Sequence, residues 1–216
     1  MPLTNLSIKV GARKSPLSQV QCDEVLHELL SFTPVEFVPV WVETVGDKDK
    51  TTSLRSLDKT DFFTREIDEM LIEGKCRIGI HSAKDLPDPL RKGLKIVALT
   101  KGVDPSDVLV IRQELQPDAV VASSSERREA MILKKWPHFK CVDIRGTIGE
   151  RLAILDSGKM DAVVMAKAAL IRLGTLNDRK WIQLEGETTP LQGKLAVIAR
   201  DDDLEMTELF KCIDTR

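Results

Sequence analysis

Residues 76–87 read CRIGIHSAKDLP. The short apolar run CRIGI breaks at once into His81-Ser82-Ala83-Lys84-Asp85-Leu86-Pro87, a polar loop closed by a proline. A buried strand that ends in a polar loop fits an α/β sheet, whose strands are covered on both faces and whose ligands gather beyond their carboxyl ends. The same alternation continues on either side. Upstream, LSIKVGA (6–12) reads as a strand, and Cys22, Val25, Leu26, Leu29 and Leu30 line one face of a helix over 16–31. VEFVPVWVETV, rich in β-branched and aromatic residues, is the next strand. GDKDKTTSLRSLDKTD (46–61) is polar throughout and reads as a mobile loop of a length that is usually functional. Phe63, Ile67, Met70 and Leu71 then keep helical spacing, which predicts a helix from an Asp61 N-cap to Gly74.

Downstream, LKIVALT, DVLVI and AVVAS read as strands, and a helix starts at Ser123–Ser125 and runs through Glu126 to Trp136. CVDI is a strand; Ile148, Leu152 and Leu155 mark a helix after Gly146; DAVVMA and KAALIRLG form another strand–helix unit. LAVIA (195–199) is a late strand without a helix of its own, and LEMTELFKCI a last short helix. Short connections between alternating strands and helices imply parallel or mixed sheets with helices on both faces. KGVDPSD (101–107) has the composition of a crossover, and LAVIA reads as a return to the first lobe. The expected fold is α/β with two lobes around a central cleft: residues 1–100 plus 195–216 form the first lobe and 101–194 the second.

Composition narrows the function. The chain has 216 residues, enough for one large domain or two lobes. Lys+Arg 32 against Asp+Glu 34 leaves a net charge of −2, and aromatics make up 4% with no Tyr, so nucleic acid is not expected as a partner. No apolar run approaches the ~20 residues that span a bilayer, and MPLTNLSIKV lacks a signal-peptide core, so the chain is expected in the cytoplasm, off the membrane. The four cysteines and three histidines are scattered, so no metal site is expected. Cys22, Cys76 and Cys141 read as buried small hydrophobes.

Four polar clusters fall at strand ends. Gly11-Ala12-Arg13-Lys14-Ser15 lacks P-loop spacing but offers a small-residue turn with Arg13 and Ser15, either an anion cradle or a plain helix entry. Lys84-Asp85 in a rigid loop could deliver a proton or stabilise a cation, or be a surface ion pair. Ser123-Ser124-Ser125-Glu126-Arg127-Arg128 joins hydroxyls, N–H groups and two guanidiniums at a helix start, either a carboxylate or phosphate site or an ordinary cap. Asp143-Ile144-Arg145-Gly146, with Arg151 one turn on, suits a ligand with several carboxylates. Together they describe a small polyanion held by arginines, with Asp85 the single acid placed for chemistry. No Ser or Cys nucleophile comes with a nearby His partner, which disfavours a hydrolase.

GARKSPLSQVQ, DFFTREIDEMLIEGKCRIGIHSAKDLP, SSSERR, DIRGTIGERL and MAKAALIRLG, in this order, resemble the porphobilinogen deaminase (hydroxymethylbilane synthase) family over nearly the whole chain. HSxKDxP followed by SSxxRR and DIRG is the specific part. The resemblance implies a periplasmic-binding-protein-like fold. It implies a transferase of tetrapyrrole and heme biosynthesis that deaminates porphobilinogen and joins four units head to tail on a covalently held dipyrromethane cofactor. Carried over, Asp85 is the catalytic aspartate, assisting loss of the amine and stabilising an azafulvene-like cation. Arg13, Ser15, Lys84, Ser124, Arg127, Arg128, Arg145 and Arg151 match positions that bind acetate and propionate groups, and Gln192-Gly193 resembles the family's Gly-Gln-Gly turn with Leu191 in place of the usual small residue. The 46–61 loop resembles a lid. Lys59-Thr60-Asp61 stands where the family has Gly-Lys-Gly. The chain ends at Arg216, before the place of the family's third, cysteine-bearing domain, which is expected to be absent, and no motif match supports Cys212 as the cofactor anchor. A monomer acting on porphobilinogen is expected; the alternative is a non-catalytic two-lobe module binding pyrrole carboxylates or another polyanion.

Overall fold

The computed structural model describes residues 6–55 and 60–216. In chain order the elements are β1 (Leu6–Arg13), α1 (Pro16–Leu30), β2 (Val35–Val42), α2 (Val45–Lys48), α3 (Arg65–Ile72), β3 (Ile78–Ser82), β4 (Leu94–Leu99), β5 (Asp107–Ile111) and β6 (Val120–Ala122). They continue with α4 (Glu126–Lys135), β7 (Lys140–Val142), α5 (Ile148–Asp156), β8 (Ala162–Ala166), α6 (Lys167–Arg172), β9 (Lys180–Leu184), β10 (Leu195–Arg200) and α7 (Leu204–Phe210). Two mixed five-stranded sheets result, with orders β2-β1-β3-β10-β4 and β7-β6-β8-β5-β9. The described residues divide into two compact units: those of Met1–Lys48, Lys59–Val103 and Lys194–Arg216, and those of Asp49–Asp58 and Asp104–Gly193.

In the first unit β1 pairs in parallel with β2 and β3, while β10 runs antiparallel between β3 and β4. Period-two alternation sends Ile8, Val10 and Ala12 to one face, where they meet Cys22, Val25 and Leu29 of α1 and Met206 and Phe210 of α7. Gly11 and Gly79 point the other way. A Cβ on Gly79 would lie 2.9 Å from Ile67 Cγ2, and one on Gly11 would lie 2.8 Å from Cys76 Sγ, so the two glycines let α3 and the Cys76 turn press against the sheet. Ser15 caps α1, its hydroxyl accepting from Ser18 N at 3.2 Å, and Pro16 supplies the first helical φ.

In the second unit β5 runs antiparallel to β8 and β9, while β6 is parallel to β7 and β8. Val108, Val110, Val163 and Met165 face Leu152, Leu155 and Leu170 of α5 and α6; Leu109, Val121 and Val164 face Ile132 of α4. Thr147 and Glu150 form a reciprocal capping box at the start of α5.

Three expectations are corrected. The helix placed from Asp61 begins at Arg65, with Thr64 at its cap, because the Asp61 carboxylate accepts from the Arg65 guanidinium at 2.9 and 2.8 Å and leaves 61–64 as a turn. The strand β9 was not expected: KWIQL lies at the sheet edge with Lys180 and Gln183 exposed, which dilutes its apolar signal. Cys141 is half-buried on a short edge strand, unlike the buried Cys22 and Cys76. The 46–61 stretch overlaps the helical turn α2; its residues 56–59, Lys59 among them, lie outside the described residues.

Candidate active site

The first unit places its polar residues at the ends of β1 and β3. Arg13, the last residue of β1, is held on two sides. Its guanidinium forms a two-pronged ion pair with Asp47, Nε to Oδ2 at 3.1 Å, and stacks over Phe63 at 4.5 Å from the ring centroid. Asp47 also accepts from Thr44 N (3.1 Å) and Thr44 Oγ1 (2.8 Å). Burial alone would raise its carboxyl, but Arg13 and Thr44 bring it below the ordinary Asp value. Gly46 makes this turn possible, since a Cβ there would sit 2.4 Å from the Phe63 ring.

β3 leads into a 3-10 turn, Ala83–Asp85, which Lys194 fastens by accepting from Ala83 N at 3.0 Å. Gln21 donates to Ser82 Oγ at 2.8 Å. His81 is buried and its titration pushed down to about 4, first by desolvation and then by Arg13, so it is neutral at pH 7. The turn lifts Asp85 off the sheet. Asp85 is half-buried, and among the described residues its carboxylate has no hydrogen bond or ion pair. Lys84 beside it is also half-buried.

In the second unit the Ser123–Ser125 stretch leaves β6 and enters α4. Ser123 is buried and folds inward, its hydroxyl donating to Ser125 O (3.1 Å) and accepting from Ser125 N (3.2 Å). Ser124 accepts from Arg151 Nη1 at 3.0 Å, and Arg151 Nε donates to Gly146 O at 2.9 Å. Arg145 Nη2 donates to Asp49 O at 2.5 Å. Arg151, Ser124 and the DIRG turn are therefore joined by hydrogen bonds.

Arg127, Arg128 and Gln192 converge on a residue that the sequence reading left out. Asp107, first residue of β5, is fully buried and accepts from Arg127 Nη2 (2.6 Å), Arg128 Nε (3.0 Å) and Nη2 (2.7 Å), and Gln192 Nε2 (2.9 Å). Burial would raise its carboxyl, but Arg128 first and then Arg127 and Gln192 hold it below the usual range. The expectation that Asp85 is the single acid among the basic clusters is thus corrected: Asp47 and Asp107 each neutralise arginines. The available signal was a charged residue opening the apolar run DVLVI, where a lone carboxylate has no reason to be buried unless cations meet it.

The family model described as "Porphobilinogen deaminase, dipyromethane cofactor binding domain" matches residues 8–208. The chain belongs to the porphobilinogen deaminase family. It is 42% identical over 214 residues to a probable porphobilinogen deaminase of Chlamydia muridarum, covering 96% of this chain and 87% of the relative. With porphobilinogen deaminase of Schizosaccharomyces pombe the identity is 38%, over 95% of this chain and 66% of the relative. Among solved structures, a periplasmic substrate-binding protein of an ABC transporter from Coxiella burnetii superposes with a TM-score of 0.59 at 14% identity, covering 95% and 91% of the two chains. The Bordetella pertussis BvgS VFT2 domain gives 0.55 at 14%, covering 96% and 86%. The fold is therefore the α/β fold of the periplasmic binding proteins.

The cofactor of this family raises the question of a thiol. Burial pushes the thiols of Cys22 and Cys76 up to about 12 and about 11, which removes both as nucleophiles. Cys212 is exposed on a 3-10 turn after α7, its Sγ donating to Leu209 O at 3.3 Å, and its thiol is raised, first by desolvation. Among the described residues no group of His, Cys, Asp and Glu could hold a metal, and no helix is long and apolar enough to cross a membrane.

Proposed function

We propose that the chain deaminates porphobilinogen and joins the resulting pyrroles head to tail into hydroxymethylbilane. The observation that carries this reading is the Asp85 carboxylate, half-buried and without a partner among the described residues, on the HSAKDLP turn of a porphobilinogen deaminase family chain. A pure binder of polyanions gains nothing from an unpaired acid, which repels the ligand.

The Asp85 carboxylate assists departure of the protonated amine as ammonia while the carbon–nitrogen bond breaks, and offsets the positive charge left on the pyrrole. Dipyrromethane, when bound, supplies the pyrrole carbon to which the first substrate is joined. Its fit rests on the donor set: pyrrole acetates and propionates are carboxylates, and Ser124, Arg145 and Arg151 offer a hydroxyl and half-buried guanidiniums to such groups. Arg127 and Arg128 add to this set with the capacity that Asp107 leaves over. Arg13, Ser15 and Lys84 play the same part in the first unit, and Gln192 and Gly193 shape the turn beside Arg128. Cys212 is not the attachment point in this reading, because its thiol is raised rather than activated. The four cysteines are free, which suits a reducing cytoplasm. The net charge of −2 supports a small-molecule substrate rather than nucleic acid. The protein acts as a monomer.

The test is to incubate the purified chain with porphobilinogen, follow ammonia release and tetrapyrrole formation, and weigh the intact protein. Substrate consumption with ammonia release supports the reading. A protein that binds porphobilinogen and releases no ammonia contradicts it. A full-occupancy two-pyrrole mass adduct that disappears in Cys212→Ser overturns the statement on Cys212.

A further inference from the structure

No step above uses Asp107, although it is fully buried and accepts hydrogen bonds from Arg127, Arg128 and Gln192. Its side chain is 0% exposed, against 8% for Arg128 and 29% for Arg127. Gln192, which donates to it, also donates to Pro105 O at 2.6 Å and accepts from Arg128 Nη2 at 3.2 Å. Arg172 Nη2 donates to Gly193 O at 2.8 Å. Residues 104–107, where the chain enters the second unit, and 191–193, where it leaves, are thus bound to each other through one carboxylate and one amide. The same carboxylate grips the two arginines at the start of α4.

Charge and direction give this hub a purpose beyond stability. A buried ion pair is weak evidence of stabilisation, since apolar packing often does as well. One carboxylate facing two guanidiniums leaves an excess positive charge. Arg127 is the exposed member, and its Nη1 is fixed by Glu187 O at 2.5 Å while Nη2 is fixed by Asp107. Its guanidinium is therefore immobilised before any ligand arrives, with one uncompensated charge for an anion to neutralise.

We propose that Asp107 is the positioning residue for substrate-carboxylate binding in the second unit: it fixes Arg127 through direct contact, uses Arg128 as a strut, and ties both through Gln192 to the entering and leaving strands of chain. The proposal rests on the reading that the arginine pair binds a pyrrole carboxylate. Asp107 itself touches no substrate; it acts through Arg127.

The experiment measures porphobilinogen kinetics together with amide hydrogen exchange of the full chain for wild type, Asp107→Asn, Gln192→Ala and Arg127→Lys. Asp107→Asn is expected to raise KM about tenfold with kcat within about threefold, the mark of lost uniform binding. The amides of 104–107 and 191–193 should exchange faster in concert. Gln192→Ala should reproduce the coupled exchange with a KM change under about threefold, because the ion pairs remain. Arg127→Lys keeps the charge but not the fork and should raise KM as Asp107→Asn does. A wild-type KM in folded Asp107→Asn overturns the proposal, as does exchange at 104–107 and 191–193 that rises no more than in the rest of the unit. Should Asp107→Asn fail to fold, wild-type KM in Arg127→Lys, or uncoupled exchange in Gln192→Ala, overturns it instead. If the wild type consumes no porphobilinogen, the functional reading fails separately, and coupled exchange then decides for the clamp and its absence against it.

Discussion

Asp85 and Asp107 are both carboxylates at the junction of a strand with a connection, and the chain treats them in opposite ways. Asp107 begins its strand, is fully buried, and meets two guanidiniums and an amide. Asp85 follows its strand, is lifted by a 3-10 turn, and keeps no partner among the described residues. Desolvation makes an unpaired buried carboxylate untenable, so complete burial at Asp107 required cations, whereas half-exposure lets Asp85 remain uncommitted. An acid meant to act on a ligand must be of the second kind. Of the paired arginines Arg128 is buried at 8% exposure, while Arg13 and Arg127, held by Asp47 and Asp107, keep 24% and 29% of their side chains exposed.

In stability, the contrast breaks most strongly at Asp107. Asp107→Asn leaves two guanidiniums without their counter-charge and should cost about 3 kcal/mol or more, read as a lowered denaturant midpoint. A loss below a few tenths would show that the hub contributes only geometry. Gly46→Ala forces a Cβ to 2.4 Å from the Phe63 ring and 2.8 Å from Phe62 O, displacing the turn that presents Asp47 to Arg13. Such overpacking should cost about 2 kcal/mol, and an unchanged Tm would mean that the Arg13 clamp does not depend on this turn.

A third buried carboxylate separates the two cases by pH. Asp68 is nearly inaccessible, accepts from Thr64 Oγ1 at 3.0 Å, and is raised to about 6, chiefly by desolvation. A carboxyl raised on folding binds its proton more tightly in the folded state, so stability falls as pH rises from about 4 through about 6. Asp68→Asn should therefore stabilise by roughly 1–2 kcal/mol at pH 8 and by little near pH 4, the difference vanishing as wild-type Asp68 protonates. An equal effect at both pH values contradicts the account. The smallest effect is expected at Leu191, a non-glycine at φ +62° and 40% exposed beside Gln192. Leu191→Gly relieves left-handed strain with little burial lost and should gain about 0.5–1 kcal/mol in chemical denaturation. A loss there would show that the leucine side chain, not Asp107 and Gln192, holds the turn.

The sequence displayed what local chemistry determines. Alternation and helical spacing placed β1, α1, β3 and the strand–helix units 162–172 because each buries one face against its neighbour. HSAKDLP stood out because polarity changes abruptly at a strand end, and that change is what raises Asp85 off the sheet. Long-range pairing was not legible. Asp107 reads as an ordinary strand start until Arg127, Arg128 and Gln192 are brought to it from 20 to 85 positions away. Asp47 likewise meets Arg13 across 34 positions. The Asp61 N-cap failed for a local reason: Arg65 sits one helical turn away and captures the carboxylate that would have capped the helix. β9 escaped because an edge strand with exposed Lys180 and Gln183 lacks the apolar run of a covered one.

The claim that the unpartnered acid performs the chemistry is tested most directly by Asp85→Asn, with the initial rate of ammonia release from porphobilinogen and the melting temperature recorded on the same preparation. The account predicts a rate at least about 100-fold below wild type, the usual cost of removing charge stabilisation aimed at a transition state, with an unchanged melting temperature because no internal contact is lost. A rate close to wild type, or a slow rate accompanied by a fall in melting temperature like that of Asp107→Asn, would contradict it.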